Sequence, residues 1–197
     1  KIIAVTGTNG KTTTANMIYT ILTLSGKKCG LIGTVKSNIC GSEIDSNLST
    51  PDPFELHSML SELYEWGAEY CVVEASSQGI SEGRLYGLDL WMTVLTNISR
   101  DHLDYHGTME NYVETKKSIF TASEKSVINA DDVLSEEFIS ASSGKVISYS
   151  IDKNDANYVA KSIKLSENGS DYAVVADYAI HRIKLNVPGE FNIQNSL

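Results

Sequence analysis

The string Thr6-Gly-Thr-Asn-Gly-Lys-Thr-Thr13 joins an apolar run at 1–6 to a helix-period segment at 11–25. A strand that turns through glycines directly into a helix is the setting a phosphate loop requires. Gly7 and Gly10 let the backbone curl so that successive N–H groups face inward. The helix N-terminus adds partial positive charge where a triphosphate would lie. Lys11 would reach the β- and γ-phosphates, and the Thr12 hydroxyl would coordinate Mg²⁺. The spacing departs from the standard pattern: Val5 stands where its first glycine belongs, and only Thr8 and Asn9 separate Gly7 from Gly10. The competing reading is a glycine-rich turn with no ligand.

Such a loop belongs to a sheet with helices on its faces, and the rest of the chain agrees. Apolar runs at 28–34, 69–75, 89–97, 125–129 and 145–149 alternate with helix-period segments at 53–66, 109–121 and 131–142. This predicts an α/β fold, a mostly parallel sheet containing the phosphate loop, with helices on both faces. Asp52 is placed to cap a helix that begins at Pro53, and Gly26 and Gly67 suit helix ends. Near 157–187 the rhythm changes to short runs at 158–165, 172–176 and 181–187, which predict a small antiparallel β appendage. One domain is expected over 1–197. The chain opens in a strand without a Met and stops after a helix-start pattern, so it is expected to be a piece of something longer.

Sixteen Lys and Arg against 25 Asp and Glu give a net charge of −9. That balance argues against nucleic-acid or anionic-membrane binding, because no basic stripe is present to neutralise a phosphate backbone. No apolar run approaches the length of a membrane span, so no membrane insertion is expected. Cys29, Cys40 and Cys71 are odd in number and widely spaced, which suits free thiols and a cytoplasmic location.

Three further positions carry chemistry. Glu74 closes the run Cys71-Val-Val-Glu74, where a carboxylate beyond a strand's carboxyl end must be solvated, paired or metal-bound; Mg²⁺ is the expected partner. Met109, Tyr112, Val113, Lys116, Ile119 and Phe120 form one apolar stripe with Lys116 in its middle. A buried ammonium is costly, so Lys116 must snorkel, pair with an acid or lose its charge; helix period alone favours snorkelling. Beside a nucleotide, the neutral amine could instead take up CO₂ and become a metal-binding carbamate. His102, in Asp101-His-Leu-Asp-Tyr-His106, is a metal candidate or a plain hydrogen-bonder, whereas His57 and His181 read as structural.

Val5-Thr-Gly-Thr-Asn-Gly-Lys-Thr-Thr13, Ser49-Thr-Pro-Asp-Pro53, Glu74-Ala-Ser-Ser77, Thr96-Asn-Ile-Ser-Arg-Asp-His-Leu-Asp-Tyr-His-Gly-Thr-Met-Glu-Asn-Tyr112 and Gly189-Glu-Phe-Asn-Ile-Gln-Asn195 together resemble the central ATPase domain of the Mur ligases. The tripeptide-synthetase (MurE) type is the nearest in pattern. The resemblance implies an ATP-dependent amide ligase of peptidoglycan precursor synthesis, acting on a UDP-MurNAc-peptide and an amino acid through an acyl phosphate. It implies that Lys11, Glu74, His102 and Lys116 are catalytic, and that Thr12 with Glu74 and His102 with the Lys116 carbamate hold Mg²⁺. Gly7, Thr8, Asn9, Gly10, Lys11, Thr12, Thr13, Asn192 and Asn195 would bind ATP, and Ser49, Thr50, Ser76 and Arg84 the nucleotide-sugar peptide. A monomer is expected. The family's N-terminal uridine-binding and C-terminal amino-acid-selecting domains are not in this chain. Gln78 and Glu82 depart from the family pattern, and an acid facing an anionic substrate at 82 would weaken binding. The same core also serves folylpolyglutamate- and cyanophycin-type ligases, and a nucleotide-binding module without catalysis is the remaining alternative.

Overall fold

In the computed structural model, which describes residues 1–197, the first strand β1 (Ile2–Thr6) runs through the glycine turn into α1 (Lys11–Leu24). There follow β2 (Cys29–Ile32), β3 (Lys36–Ile39), β4 (Ser42–Asp45), α2 (Pro53–Glu65), β5 (Tyr70–Glu74), α3 (Ser77–Ser81) and β6 (Leu90–Leu95). The second half comprises α4 (Leu103–His106), α5 (Met109–Lys117), β7 (Lys125–Asn129), α6 (Ser135–Ala141), β8 (Lys145–Ser150), β9 (Tyr158–Ser166), β10 (Gly169–Ala176), β11 (Ala179–Leu185) and α7 (Glu190–Ser196).

All eleven strands form one sheet, in the order β11-β10-β9-β8-β7-β6-β1-β5-β2-β3-β4. From β9 to β2 every neighbouring pair is parallel, and the outer strands on both sides are antiparallel. β1 lies between β5 and β6, and the chain passes from one to the other across it. That reversal opens a crevice beyond the carboxyl ends of the strands, the usual ligand position in such sheets.

Strand alternation explains the two cores. Ile3 and Val5 point to one face with Leu31, Val72 and Val94, where Ala15 of α1 covers them. Ala4 points to the other with Ile32, Val73 and Leu95, under Leu56 and Leu63 of α2 and Tyr112 of α5. The Asp52 cap forms as expected: its side chain accepts from the amides of Phe54 and Glu55 at 2.9 and 3.1 Å.

The antiparallel strands expected near 157–187 are present as β9–β11, and because β9 pairs in parallel with β8 they extend the main sheet. The structure corrects two expectations. The segment at 131–142 is helical only from Ser135. Asp132 accepts from the amides of Ile98 and Leu134, and Asp131 from that of Ile151, so both are drawn out of the helix. Residues 109–121 divide into α5 and a 3₁₀ turn at Ser118–Ala122. The β3–β4 hairpin had no sequence signal, since its polar residues do not alternate with apolar ones.

Candidate active site

The loop after β1 is held by the end of β6 and its continuation. The amide of Thr8 donates to the Asn97 carbonyl at 2.7 Å, the amide of Asn9 to Asn97 Oδ1 at 3.0 Å, and Thr96 Oγ1 to the Asn9 carbonyl at 2.6 Å. The close approach requires glycine: a Cβ on Gly7 would lie 1.9 Å from Thr96 Oγ1, and one on Gly10 would lie 2.2 Å from Asn195 Oδ1. Gly10 also has φ +86°, which favours glycine. Thr8 to Thr13 line an open polar concavity together with Thr34 and Ser49. Lys11 folds back over the loop, its Nζ donating to the carbonyls of Gly7 (3.0 Å) and Thr8 (2.9 Å). Burial lowers its pKa, with the charges of Glu74 and Asp101 opposing.

Glu74 ends β5 beside this loop and is 1% exposed. Its Oε2 accepts from Thr12 Oγ1 at 2.8 Å and from Thr34 Oγ1 at 2.9 Å, and its Oε1 from the Thr34 amide at 2.8 Å. A hydroxyl and a carboxylate in contact beside the glycine loop form a donor set that fits Mg²⁺. No group of three or more His, Cys, Asp and Glu gathers to hold a metal. That also fits Mg²⁺, which is usually bound by one or two carboxylates plus substrate phosphates and waters. Thr34, just beyond β2, was not singled out from sequence. Its only signal there is its place past the end of an apolar strand.

On the other side of Lys11 lies a second cavity of about 180 Å³, lined in part by Lys11, Arg84, His102, His106 and Lys116. Lys11 and Ser49 belong to the walls of both cavities. Lys116 does not snorkel. It is 1% exposed, and its Nζ donates to Thr6 Oγ1 (3.2 Å) and the Gly7 carbonyl (2.9 Å), 4.9 Å from the centre of the Tyr112 ring. The stripe faces inward under the crevice, and neutral oxygens reach the amine before water does. Burial pushes its pKa down to about 7, helped by Lys11 and opposed by Asp101. An amine of that pKa is substantially neutral at physiological pH, the form that can react with CO₂.

His102 adopts a left-handed conformation (φ 52°) at the start of α4, its Nε2 3.4 Å from Asp101 Oδ2. Tyr112 binds this region to the loop through its hydroxyl, 2.9 Å from Thr8 Oγ1. Neither Tyr112 nor His106 was assigned a role from sequence.

The expected substrate-side residues gather as a polar floor. Thr50 Oγ1 donates to the Glu74 carbonyl at 2.7 Å and accepts from the Ser76 amide at 3.0 Å; the Ser49 and Thr34 hydroxyl oxygens lie 2.8 Å apart. Arg84 donates from Nη1 to the Thr50 carbonyl (2.6 Å), and from Nε and Nη2 to Glu82 Oε2 (2.9 and 2.5 Å). Glu82 Oε1 accepts from Gln78 Nε2 at 2.9 Å. Both Glu82 oxygens accept bonds, from Gln78 and Arg84, and these bonds lower its pKa. Arg84 keeps one unused N–H on each Nη. Asn195 lies against Gly10, and its carbonyl accepts from Thr14 Oγ1 at 3.2 Å. Asn192 donates to the Pro188 carbonyl at 2.7 Å, and its Oδ1 accepts from Asn195 Nδ2 at 3.4 Å, so it reaches the loop only through Asn195.

Comparison with known proteins gives a consistent answer. Residues 5–197 match the Mur ligase middle domain. The chain is 40% identical over 202 residues to a UDP-N-acetylmuramoyl-L-alanyl-D-glutamate--2,6-diaminopimelate ligase from Clostridium perfringens, covering 100% of this chain and 41% of that protein. A solved structure of a ligase of the same name superposes with a TM-score of 0.91 at 33% identity, covering 100% of this chain and 41% of the other. MurF from Acinetobacter baumannii shares the fold, with a TM-score of 0.77 at 22% identity over 99% of this chain and 40% of its own. The chain thus spans about two fifths of the length of the relatives it matches.

Proposed function

The chain belongs to the Mur ligase middle domain family, and on that premise we propose that it is the ATP-binding domain of an ATP-dependent amide ligase of peptidoglycan precursor synthesis. In this reading residues 1–197 are one central domain of a longer enzyme that adds an amino acid to a UDP-MurNAc-dipeptide. The names of its relatives favour diaminopimelate as that amino acid.

The observation that carries the reading is the place of Lys11 in the wall between two cavities, with the Thr12–Glu74 pair at the edge of one and Arg84 and Lys116 in the other. Both reactants are anions, so catalysis is chiefly positioning and charge neutralisation. The loop amides cradle the polyphosphate, and Lys11 exchanges the Gly7 and Thr8 carbonyls for the γ-phosphate. Arg84 directs its unused N–H groups to the incoming substrate, while Ser49, Thr50 and Ser76 shape the floor beneath it. Asn195, and Asn192 through it, hold the nucleotide end.

A carboxylate oxygen then attacks the γ-phosphorus, ADP leaves, and the acyl phosphate is captured by the amine of the amino acid, releasing phosphate. Thr12 and Glu74 would hold one Mg²⁺, and His102 with carbamylated Lys116 a second. When bound, these ions neutralise charge on the transferring phosphoryl group. The carbamate forms when neutral Nζ attacks CO₂: an N–C bond is made, one C=O bond opens onto oxygen, and an Nζ proton goes to solvent.

The test is phosphate release from ATP by the full-length enzyme. UDP-MurNAc-dipeptide with diaminopimelate is expected to drive it. Release driven instead by a folate or another acceptor with glutamate would move the enzyme to another ligase class, and no release with any acceptor would leave only a nucleotide-binding module.

A further inference from the structure

His106 lines the cavity that Lys11 and Lys116 also line, and its ring carries an unused polar atom. The residue is 9% exposed, and its Nε2 is fully buried without a hydrogen-bond partner. The ring cannot turn away cheaply. It packs edge-to-face against Tyr105 and Tyr112, with centroids at 4.8 and 5.3 Å. Its backbone is pinned as well, the amide donating to the His102 carbonyl at 3.0 Å and the carbonyl accepting from Asn111 Nδ2 at 3.0 Å. A buried imidazole nitrogen left unpaired costs free energy, and such an atom calls for a partner that arrives separately.

The cavity defines the charge of that partner. Lys11, Arg84 and Lys116 line it with His102, and no carboxylate does. Glu82 compensates Arg84, but Lys11 and Lys116 donate only to neutral oxygens. With its proton on Nδ1, Nε2 is an acceptor, and the cavity already holds the cations Lys11, Arg84 and Lys116. In the other tautomer it is a donor, suited to an oxyanion.

We propose that His106 is a positioning residue whose Nε2–H holds a carboxylate-type anion in this cavity. The inference rests on the ligase reading for the source of the anion: the carbamate of Lys116, or the free carboxylate that is to be phosphorylated. Both offer the same acceptor.

The experiment is ¹⁵N NMR of the histidine side chains of chain 1–197 with Mg²⁺ and ADP, titrated separately with ¹³C-bicarbonate and with acetate. At least one anion is expected to shift the His106 Nε2 resonance. If bicarbonate acts, a new ¹³C carbamate signal appears with it, and both effects vanish in Lys116→Met. If the free carboxylate acts, acetate shifts the resonance in Lys116→Met as well. His106→Gln, which keeps an N–H donor, is expected to hold the active anion within about threefold of wild type, and His106→Phe to weaken it about tenfold or more.

The proposal is overturned if neither anion moves the His106 resonance. It is also overturned if His106→Phe, folded by circular dichroism, binds the active anion as wild type does, or if His106→Gln binds it no better than His106→Phe. These readouts need no turnover, so failure here leaves the ligase reading standing. Failure of ATP-dependent phosphate release in the full-length enzyme leaves the anion site standing.

Discussion

A lysine enclosed by neutral oxygens is a stability cost retained in a place where charge can be useful. Lys116 is protonated up to about pH 10.5 when unfolded and loses its proton above about pH 7 when folded. Between these values the unfolded chain binds more protons, so this group makes stability rise with pH; below about pH 7 its full cost is present. Lys116→Met removes the cost. The Thr6 hydroxyl still donates to the Ala75 carbonyl, and the Gly7 carbonyl still accepts from Lys11. In urea unfolding in CO₂-free buffer, the variant is expected to be more stable near pH 6.5, by an amount bounded at about 5 kcal/mol. Its advantage should shrink as pH rises to 10, and an advantage independent of pH would contradict the account. The same variant should be inactive in the full-length enzyme. On the proposed reading Lys11 meets the γ-phosphate, so Lys11→Ala is expected to lower kcat/KM for ATP at least about a hundredfold, measured by phosphate release.

At the scale of elements, caps and close approaches carry the loop and its supports. Asp52→Ala leaves two amides of α2 without their partner and should cost about 1 kcal/mol in urea unfolding, with nucleotide binding unchanged. Gly10→Ala meets Asn195 of α7 and an unfavourable φ together, so it should weaken ADP binding by about tenfold or more in calorimetry. The cap was legible because it is encoded within four residues. The fit of α7 against the loop was not, because Gly10 and Asn195 lie at opposite ends of the chain.

On the scale of the whole molecule, one sheet eleven strands wide presents its crevice at β1, between β5 and β6. Because the chain spans about two fifths of its relatives, residues 1–197 alone are expected to bind ATP or ADP yet form no amide when supplied with UDP-MurNAc-dipeptide and diaminopimelate. Product detected by mass spectrometry would contradict this. Alternating apolar runs, a glycine turn entering a helix and an odd lysine in an apolar stripe determined the fold class, the β1–α1 glycine loop and the suspicion attached to Lys116. These are periodicities and neighbours along the chain, which any window of sequence contains. Only the tertiary structure decided that Thr34 clasps Glu74, that Glu82 turns to Arg84, that Lys116 stays buried against Thr6 and Gly7, and that His106 Nε2 is left without a partner. Those outcomes depend on which side chains the strand order brings within about 3 Å, and hydrogen bonds act over that distance regardless of separation in sequence.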